Sequence, residues 1–197
     1  MACSVTLFSR RVLLFSAILL VWAPPGEAVE KDGKTISDEW CGFSISVAEP
    51  WQRAPLRGYA APGAIRCAWS GPDGASVVIF LQEPGMAVSP RVMLDGSTKS
   101  MKDMLGATVS VEAIRPVKGM QAMWMVVSAK GTGGAIDGKG DVETTQHWVA
   151  VPRERDVVVV LLSCRAADYA RLQKSFESAI GSLKLSGSQT AEQKTAK

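Results

Sequence analysis

One apolar run constrains the fold of this chain more than any other feature of its sequence. Residues 77–81 (Val-Val-Ile-Phe-Leu) contain no polar side chain and follow the turn signal Gly71-Pro72-Asp73-Gly74. The run predicts a strand over 75–82, and because successive side chains of a strand point to opposite faces, both of its faces are apolar. The sequence therefore predicts a central strand in a sheet that is covered on both sides.

Further periodic segments supply the rest of the predicted fold. Tyr169, Leu172, Phe176 and Ile180 share one helical face before Gly181, and Ser89-Pro90 begins another helix that ends at Gly106. These elements predict an α+β fold: a mainly antiparallel sheet of six or seven strands with helices packed on both faces, a helix/sheet/helix sandwich. The other predicted strands cover 42–48, 64–70, 108–114, 121–130, 142–151 and 157–163.

The first 28 residues have the pattern of an export signal. Arg10 and Arg11 precede the apolar run 12–23, and Gly26 and Ala28 place small residues before a cleavage site. The run is about a dozen residues long, whereas a membrane-spanning helix needs about 20. We therefore expect a signal peptide cleaved after about Ala28, export to the bacterial periplasm, and no transmembrane segment in the mature chain.

The rest of the chain divides into three parts. We expect a flexible N-terminal segment over 29–41, one folded domain over 42–185 and a disordered polar tail over 186–197. Hydrophobic residues make up 47% of the chain, enough for a packed core, and the formal net charge is only +3. Since no basic run or stripe stands out, a nucleic acid is not an expected partner.

Three short segments resemble the PsbP-like family, which includes the extrinsic protein of photosystem II, DcrB-type envelope proteins and a nuclear import factor. The resemblance runs over about 42–185 and implies a single PsbP-like domain, whose relatives are mostly non-enzymatic binding or assembly modules. The photosystem protein's metal-associated segment has no counterpart here, so the resemblance transfers no binding residue. The matching segments are Gly42-Phe43-Ser44-Ile45-Ser46-Val47 with Pro50-Trp51, Val117-Lys118-Gly119, and the closing residues Phe176, Ile180, Ser182, Leu183 and Lys184.

Three cysteines follow the leader, Cys41, Cys67 and Cys164. In an oxidising compartment they predict one disulfide and one remaining thiol. All three pairings are open, and we favour Cys41 with Cys67 because they lie on consecutive predicted strands. The remaining thiol is interpreted as a buried, inert cysteine rather than a redox or interchain group.

The sequence supplies no convincing catalytic, cofactor or metal site. His147, the single histidine, has no orienting Asn or Asp that would make Cys164 a nucleophile, so we interpret it as structural. Met120, Met123 and Met125 suggest a copper site, but Met120 falls on the opposite face of its strand, which favours core packing. We predict neither catalytic nor metal-binding residues, and no cofactor.

Aromatic and arginine side chains cluster after the first predicted strand, a composition that is typical of protein interfaces. Trp51, Arg53, Arg57 and Tyr59 form this possible partner surface, although Trp51 could instead pack beneath the sheet edge. The sequence thus favours an exported, non-enzymatic accessory or assembly protein that binds another envelope protein. The alternative is a periplasmic carrier of a small ligand or of copper.

Overall fold

A computed structural model describes residues 29–31, 35–39, 41–56, 65–82, 88–105, 107–130, 142–154 and 156–186. The predicted signal peptide lies outside these residues, and so does the tail beyond Ser186. Arg57 and Tyr59 of the predicted partner surface also lie outside them. None of the described helices is long and apolar enough to cross a bilayer.

Seven antiparallel strands form the larger sheet, as the sequence predicts. They are β4 (Gln52–Ala54), β5 (Ile65–Ser70), β6 (Ser76–Gln82), β7 (Thr108–Val117), β8 (Met120–Lys130), β9 (Glu143–Pro152) and β10 (Val157–Arg165). Their order across the sheet is β4-β5-β6-β10-β9-β8-β7. Strand β6 pairs with β5 on one side and with β10 on the other. The apolar run at 77–81 therefore occupies an internal strand, as expected.

A second, four-stranded sheet lies beside the first. It consists of β1 (Val29–Lys31), β2 (Thr35–Asp38), β3 (Phe43–Ser46) and β11 (Lys184–Leu185), in the order β1-β2-β3-β11. Two predictions are corrected here. The segment 29–41, predicted to be flexible, contributes two strands, and the strand predicted at 42–48 joins this small sheet rather than the larger one.

The polar composition of β2 explains the first error. Only Ile36 in its sequence Thr-Ile-Ser-Asp is apolar, but both Ile36 and Asp38 are buried. Buried and partly exposed residues alternate in β2, but since one of the two buried residues is an aspartate, the sequence shows no hydrophobic alternation. The seventh strand of the larger sheet is instead β4, which lies between the strands predicted at 42–48 and 64–70.

The two helices occupy the predicted positions, α1 at Pro90–Leu105 and α2 at Tyr169–Ser182. The Ser89 side chain caps α1 by accepting a hydrogen bond from the backbone N–H of Val92 at 3.3 Å. Residues Leu172, Phe176 and Ile180 of α2 belong to one hydrophobic cluster, and Leu94 of α1 belongs to another. The observed fold is therefore α+β, with one helix contributing to each cluster.

Helix α2 also positions the last strand. The hydroxyl of Ser182 accepts a hydrogen bond from the backbone N–H of Ser46 at 2.9 Å and donates to the Ser46 carbonyl at 3.1 Å. Because β11 begins two residues later, this contact holds β11 against β3.

Candidate functional site

A groove of about 240 Å³ lies on the small sheet, where β2, β3 and β11 run side by side. Asp38 is paired with Phe43, and Phe43 with Leu185, so one row of residues crosses all three strands. We call this feature the small-sheet groove. Its apolar lining is Phe43 and Leu185, and its polar lining is Ser37, Asp38, Glu39, Ser44, Lys184 and Ser186.

The turn between β2 and β3 is fixed by contacts to Gly42. Gly42 has φ of +63°, a conformation that side chains disfavour. Its carbonyl accepts hydrogen bonds from the Ser186 N–H at 2.8 Å and from Arg153 Nη1 at 3.2 Å. A β-carbon at this position would lie 2.8 Å from Ser186 Oγ. The groove's end is therefore tied both to the residue after β11 and to the larger sheet.

Arg153 makes that connection from the turn between β9 and β10. Its Nη1 also donates to the Cys41 carbonyl at 2.8 Å. Its Nε and Nη2 donate to the two carboxylate oxygens of Asp156, at 2.5 and 2.6 Å. Such a two-point ion pair fixes the guanidinium plane. The hairpin of the larger sheet thus holds the turn that borders the groove.

A buried ion pair lies behind the groove. Arg66 Nε donates to Asp38 Oδ2 at 2.8 Å, and the two side chains are 5% and 3% exposed. The other oxygen, Oδ1, accepts the backbone N–H of Cys41 at 2.8 Å. The register of β5 shifts between Ile65 and Cys67, which places Arg66 in a β-bulge. The ion pair joins β2 of the small sheet to β5 of the larger one.

The three described cysteines are buried and free. The predicted disulfide between Cys41 and Cys67 is therefore absent from this structure. The two thiols have different neighbours: a hydrogen bond with Asp38 for Cys41, and one with Arg53 for Cys67. Burial raises the pKa of both thiols to about 12 and that of Cys164 to about 11. All three are protonated at neutral pH and lack the thiolate that a nucleophile needs.

His147 is enclosed by three aromatic rings. Its ring centroid lies 5.6 Å from that of Trp124, 5.9 Å from that of Tyr169 and 4.9 Å from that of Phe176. His147 Nδ1 is 3.1 Å from the Tyr169 hydroxyl oxygen. Burial lowers the pKa of His147 to about 4, so the imidazole is neutral at pH 7.

The structure does not pair His147 with Cys164 as base and nucleophile. The Cys164 Sγ donates to the Thr145 carbonyl at 3.8 Å, while His147 Nδ1 is within hydrogen-bond distance of Tyr169.

The methionines of β8 do not converge on one site. Met123 and Met125 belong to the cluster that contains Leu94, whereas Met120 packs against the other cluster. The Sδ of Met125 already accepts a hydrogen bond from the Thr98 hydroxyl at 3.8 Å. A copper site built from these three thioethers is contradicted. In the described part of the chain, no group of three or more His, Cys, Asp or Glu residues is placed to hold a metal ion.

The structure removes Trp51 from the predicted partner surface. Its side chain is 5% exposed, and its Nε1 donates to Ser175 Oγ at 3.1 Å. Trp51 packs inside the fold, which was the alternative interpretation. Arg53 is half-buried, with its guanidinium carbon 5.6 Å from the centroid of the Trp69 ring. The described part of this predicted surface is therefore largely internal.

No sequence signal pointed to the small-sheet groove. Its lining comes from residues 37–44 and 184–186, which lie about 140 positions apart in the sequence and meet where β11 pairs with β3. The only local hints are Gly42, which suits a turn, and the closing segment that was predicted to end the domain.

Comparison with known proteins identifies the fold. No family model and no curated protein matches the sequence. The solution structure of cyanobacterial PsbP (CyanoP) from Synechocystis sp. PCC 6803 is similar to this chain with a TM-score of 0.54. The alignment has 10% sequence identity and covers 85% of this chain and 99% of that one. The fold is PsbP-like. The resemblance stated from the sequence is thereby confirmed at the level of the fold.

Two further structures are similar to this chain. LpqN, described as involved in cell envelope biogenesis of Mycobacterium tuberculosis, has a TM-score of 0.50, 16% identity, and coverage of 73% of this chain and 82% of that one. A protein from Bacteroides thetaiotaomicron has a TM-score of 0.52 and 12% identity, with 79% of this chain covered. The match spans 49% of the Bacteroides protein. At these identities the likeness concerns the fold alone.

Proposed function

We propose that this protein is an exported accessory or assembly protein of the cell envelope that has no enzymatic activity and binds another envelope protein. The observation that carries the proposal is the PsbP-like fold, shared with CyanoP and with LpqN, the latter described as involved in cell envelope biogenesis. The export pattern of the first 28 residues supports a location in the periplasm, after cleavage near Ala28.

The state of the reactive side chains supports a non-enzymatic role. A general base or nucleophile must be accessible and suitably ionised. His147 is enclosed by aromatic rings, and the thiols of Cys41, Cys67 and Cys164 are buried and protonated. Each of these groups contributes to packing in the described structure.

We infer that the two helices lie on opposite faces of the larger sheet. Met123 and Met125 of β8 share a cluster with Leu94 of α1, whereas Ala122 and Trp124 share one with α2. Since adjacent side chains of a strand point to opposite faces, these clusters support a helix/sheet/helix sandwich. A sheet covered in this way leaves its edges and the small-sheet groove as candidate contact surfaces.

The long edge of the larger sheet is poorly suited to a partner strand. The register of β7 shifts between Val109 and Val111, and Pro116 removes a backbone donor near its end. Glu112 of β7 is engaged by Lys102 of α1, with Nζ and Oε1 3.0 Å apart. Bulges, prolines and charges on an edge strand discourage edge-to-edge pairing. We therefore place the partner contact at the small-sheet groove.

The groove has the composition of a protein interface. Phe43 and Leu185 supply an apolar floor, and the exposed Glu39 and Lys184 supply a charged rim. Because Arg153 and Gly42 fix the neighbouring turn, little ordering is required when a partner binds.

The test is affinity capture of the mature protein, carrying a C-terminal tag, from crosslinked envelope extract with identification by mass spectrometry. We expect one envelope protein at near-equimolar amounts. Lys184→Glu should lower its recovery several-fold, whereas Lys174→Glu on the exposed face of α2 should not. Recovery of no stoichiometric partner would contradict the proposal. A partner captured equally well by Lys184→Glu would retain the binding role but exclude the groove.

Native mass spectrometry of the purified protein separates this role from the carrier hypothesis. We expect the mass of the polypeptide alone. A bound small molecule or metal in the mature protein would favour the carrier instead.

A further inference from the structure

Three aromatic side chains, Trp124, Tyr169 and Phe176, surround His147, and we call this arrangement the aromatic box. The three side chains differ in solvent exposure. Trp124 and Phe176 are buried, at 8% and 0% exposure, whereas Tyr169 is half-buried. Tyr169 is therefore the most exposed wall of the box, and its hydroxyl oxygen lies 3.1 Å from His147 Nδ1.

The segment that carries Tyr169 is lightly anchored. The 3₁₀ turn at Ala166–Asp168 contains no buried residue, and Ala170 and Arg171 are exposed. The first buried residue of α2 is Leu172. Opening of residues 166–171 therefore exposes little apolar surface besides the Tyr169 ring, and local opening is easiest in such segments.

Ion pairs hold this segment from outside. Arg171 Nη2 contacts Asp168 Oδ1 at 2.8 Å and Asp73 Oδ2 at 2.9 Å. The Arg171 side chain is 55% exposed, and pairs at such exposure contribute little to stability. They therefore oppose opening of the segment only weakly.

The charged groups around the box act in opposite directions on the imidazole. Arg115 of β7 disfavours a protonated His147, and Glu177 of α2 favours it. Cys164 of β10 and Glu177 interact with Tyr169, and Asp168 and Arg171 interact with Cys164. Burial outweighs these charges and lowers the pKa of His147 to about 4. The closed box therefore excludes the charged imidazole.

We propose that Tyr169 is an acid-released latch: protonation of His147 drives the Tyr169 ring out of the box and separates residues 166–171 from the larger sheet, while the rest of the fold stays closed. Water then solvates the imidazolium, which the closed box cannot do. The latch makes an exported protein responsive to the acidity of its surroundings, and it does not depend on the partner proposed above.

Proton linkage gives the direction of the pH dependence. The open segment exposes His147, whose pKa returns toward 6.5, so the open state binds more protons than the closed one below that pH. Opening is therefore favoured as the pH falls. Between pH 7 and pH 5 the opening equilibrium constant should rise about twentyfold, from the pKa of about 4 in the closed state. This pH range lies above the ordinary titration of aspartate and glutamate side chains.

The experiment is hydrogen–deuterium exchange at pH 7 and pH 5, corrected for intrinsic exchange rates, on peptides that cover 166–172. Wild-type protein should show an increase of about twentyfold in opening of this segment, with β9 and β10 unchanged. His147→Gln, which does not titrate in this range, should show no such increase. His147→Phe provides the same test if the glutamine variant fails to fold.

Arg171→Ala is the matched control. It removes both surface ion pairs of the segment, so the opening equilibrium constant should increase by the same factor at pH 7 and at pH 5. The ratio of the opening constants at the two pH values should therefore stay at about twentyfold. The proposal is overturned if residues 166–172 exchange equally at the two pH values or if His147→Gln keeps the increase. It is also overturned if β9 and β10 lose protection together with the segment, since that is global unfolding.

Discussion

Gly71 lies directly against the buried ring of Trp51. A β-carbon there would be 2.4 Å from Cζ3 and 2.7 Å from Cε3 of the indole. The Trp51 ring cannot move aside easily, because its Nε1 donates a hydrogen bond to Ser175 Oγ on α2. We expect Gly71→Ala to lower the free energy of unfolding by about 1–3 kcal/mol, as overpacked cores do. Urea denaturation followed by circular dichroism measures the change.

Gly96→Ala is the matched control for this substitution. A β-carbon at Gly96 meets nothing within 4 Å, and the residue lies inside α1. Alanine should therefore raise the free energy of unfolding by about 0.5–1 kcal/mol, because glycine weakens a helix interior. If both substitutions destabilised the protein equally, contact with Trp51 would not explain the effect at Gly71.

The hairpin turn between β7 and β8 contains a strained lysine. Lys118 has φ of +48° and Gly119 has φ of +84°, so both residues are in left-handed conformations. This region is unfavourable for lysine by about 1–2 kcal/mol, whereas asparagine tolerates it better. We expect Lys118→Asn to raise the thermal midpoint of unfolding. Lys118→Ala, which removes the same exposed charge without relieving the strain, should not raise it.

The buried ion pair between β2 and β5 determines how the two sheets are joined. Arg66→Met leaves the Asp38 carboxylate buried without its cationic partner, so we expect a loss of about 3–5 kcal/mol in the free energy of unfolding. Adding Asp38→Asn should recover part of that loss, because the uncompensated charge is then removed. Urea denaturation of the single and double variants measures both steps.

An exposed ion pair provides the comparison. Arg91 and Asp95 lie 3.1 Å apart on α1, with side chains 73% and 58% exposed. We expect Arg91→Ala to change stability by less than about 0.5 kcal/mol. A loss after Arg66→Met as small as this would show that the buried pair does not join the sheets.

The long strands and helices could be located from the sequence because their apolar residues are also the residues that are buried in the structure. Strands β6 and β10 are continuous apolar runs, and helix α2 carries its apolar side chains at the helical period, so the positions of all three follow from sequence. The small sheet does not behave in this way. Its strands have two to four residues, and β2 is held by a buried aspartate whose arginine partner lies 28 positions away. Contacts of this kind depend on the completed fold.

Contacts between residues distant in sequence also explain which parts of the candidate site could be predicted and which could not. The structural interpretation of His147 followed from the absence of a catalytic neighbour in the sequence, and in the structure its neighbours are aromatic rings. The burial of Trp51 was an open alternative, since a tryptophan after a strand suits both an interface and a core. The groove was not predicted at all, because Phe43 and Leu185 meet only when the end of the chain returns to β3.

The packing of the whole molecule predicts how its thiols react. Cys41, Cys67 and Cys164 belong to one hydrophobic cluster, which contains residues of both sheets and of α2. A thiol reagent reaches them only when this cluster opens, and burial keeps them protonated until then. We expect the mature protein to be unreactive toward a disulfide reagent under native conditions.

In denaturant, three thiols per protein molecule should react with the reagent, one for each of these cysteines. A single equivalent would show instead that two of them are bonded after export, and peptide mapping would then test the pairing of Cys41 with Cys67. Cys164→Ser is the matched variant: it should reduce three equivalents to two if all thiols are free. It should leave none if the predicted pair is bonded. The count therefore decides whether a covalent bond adds to the noncovalent contacts that join the two sheets.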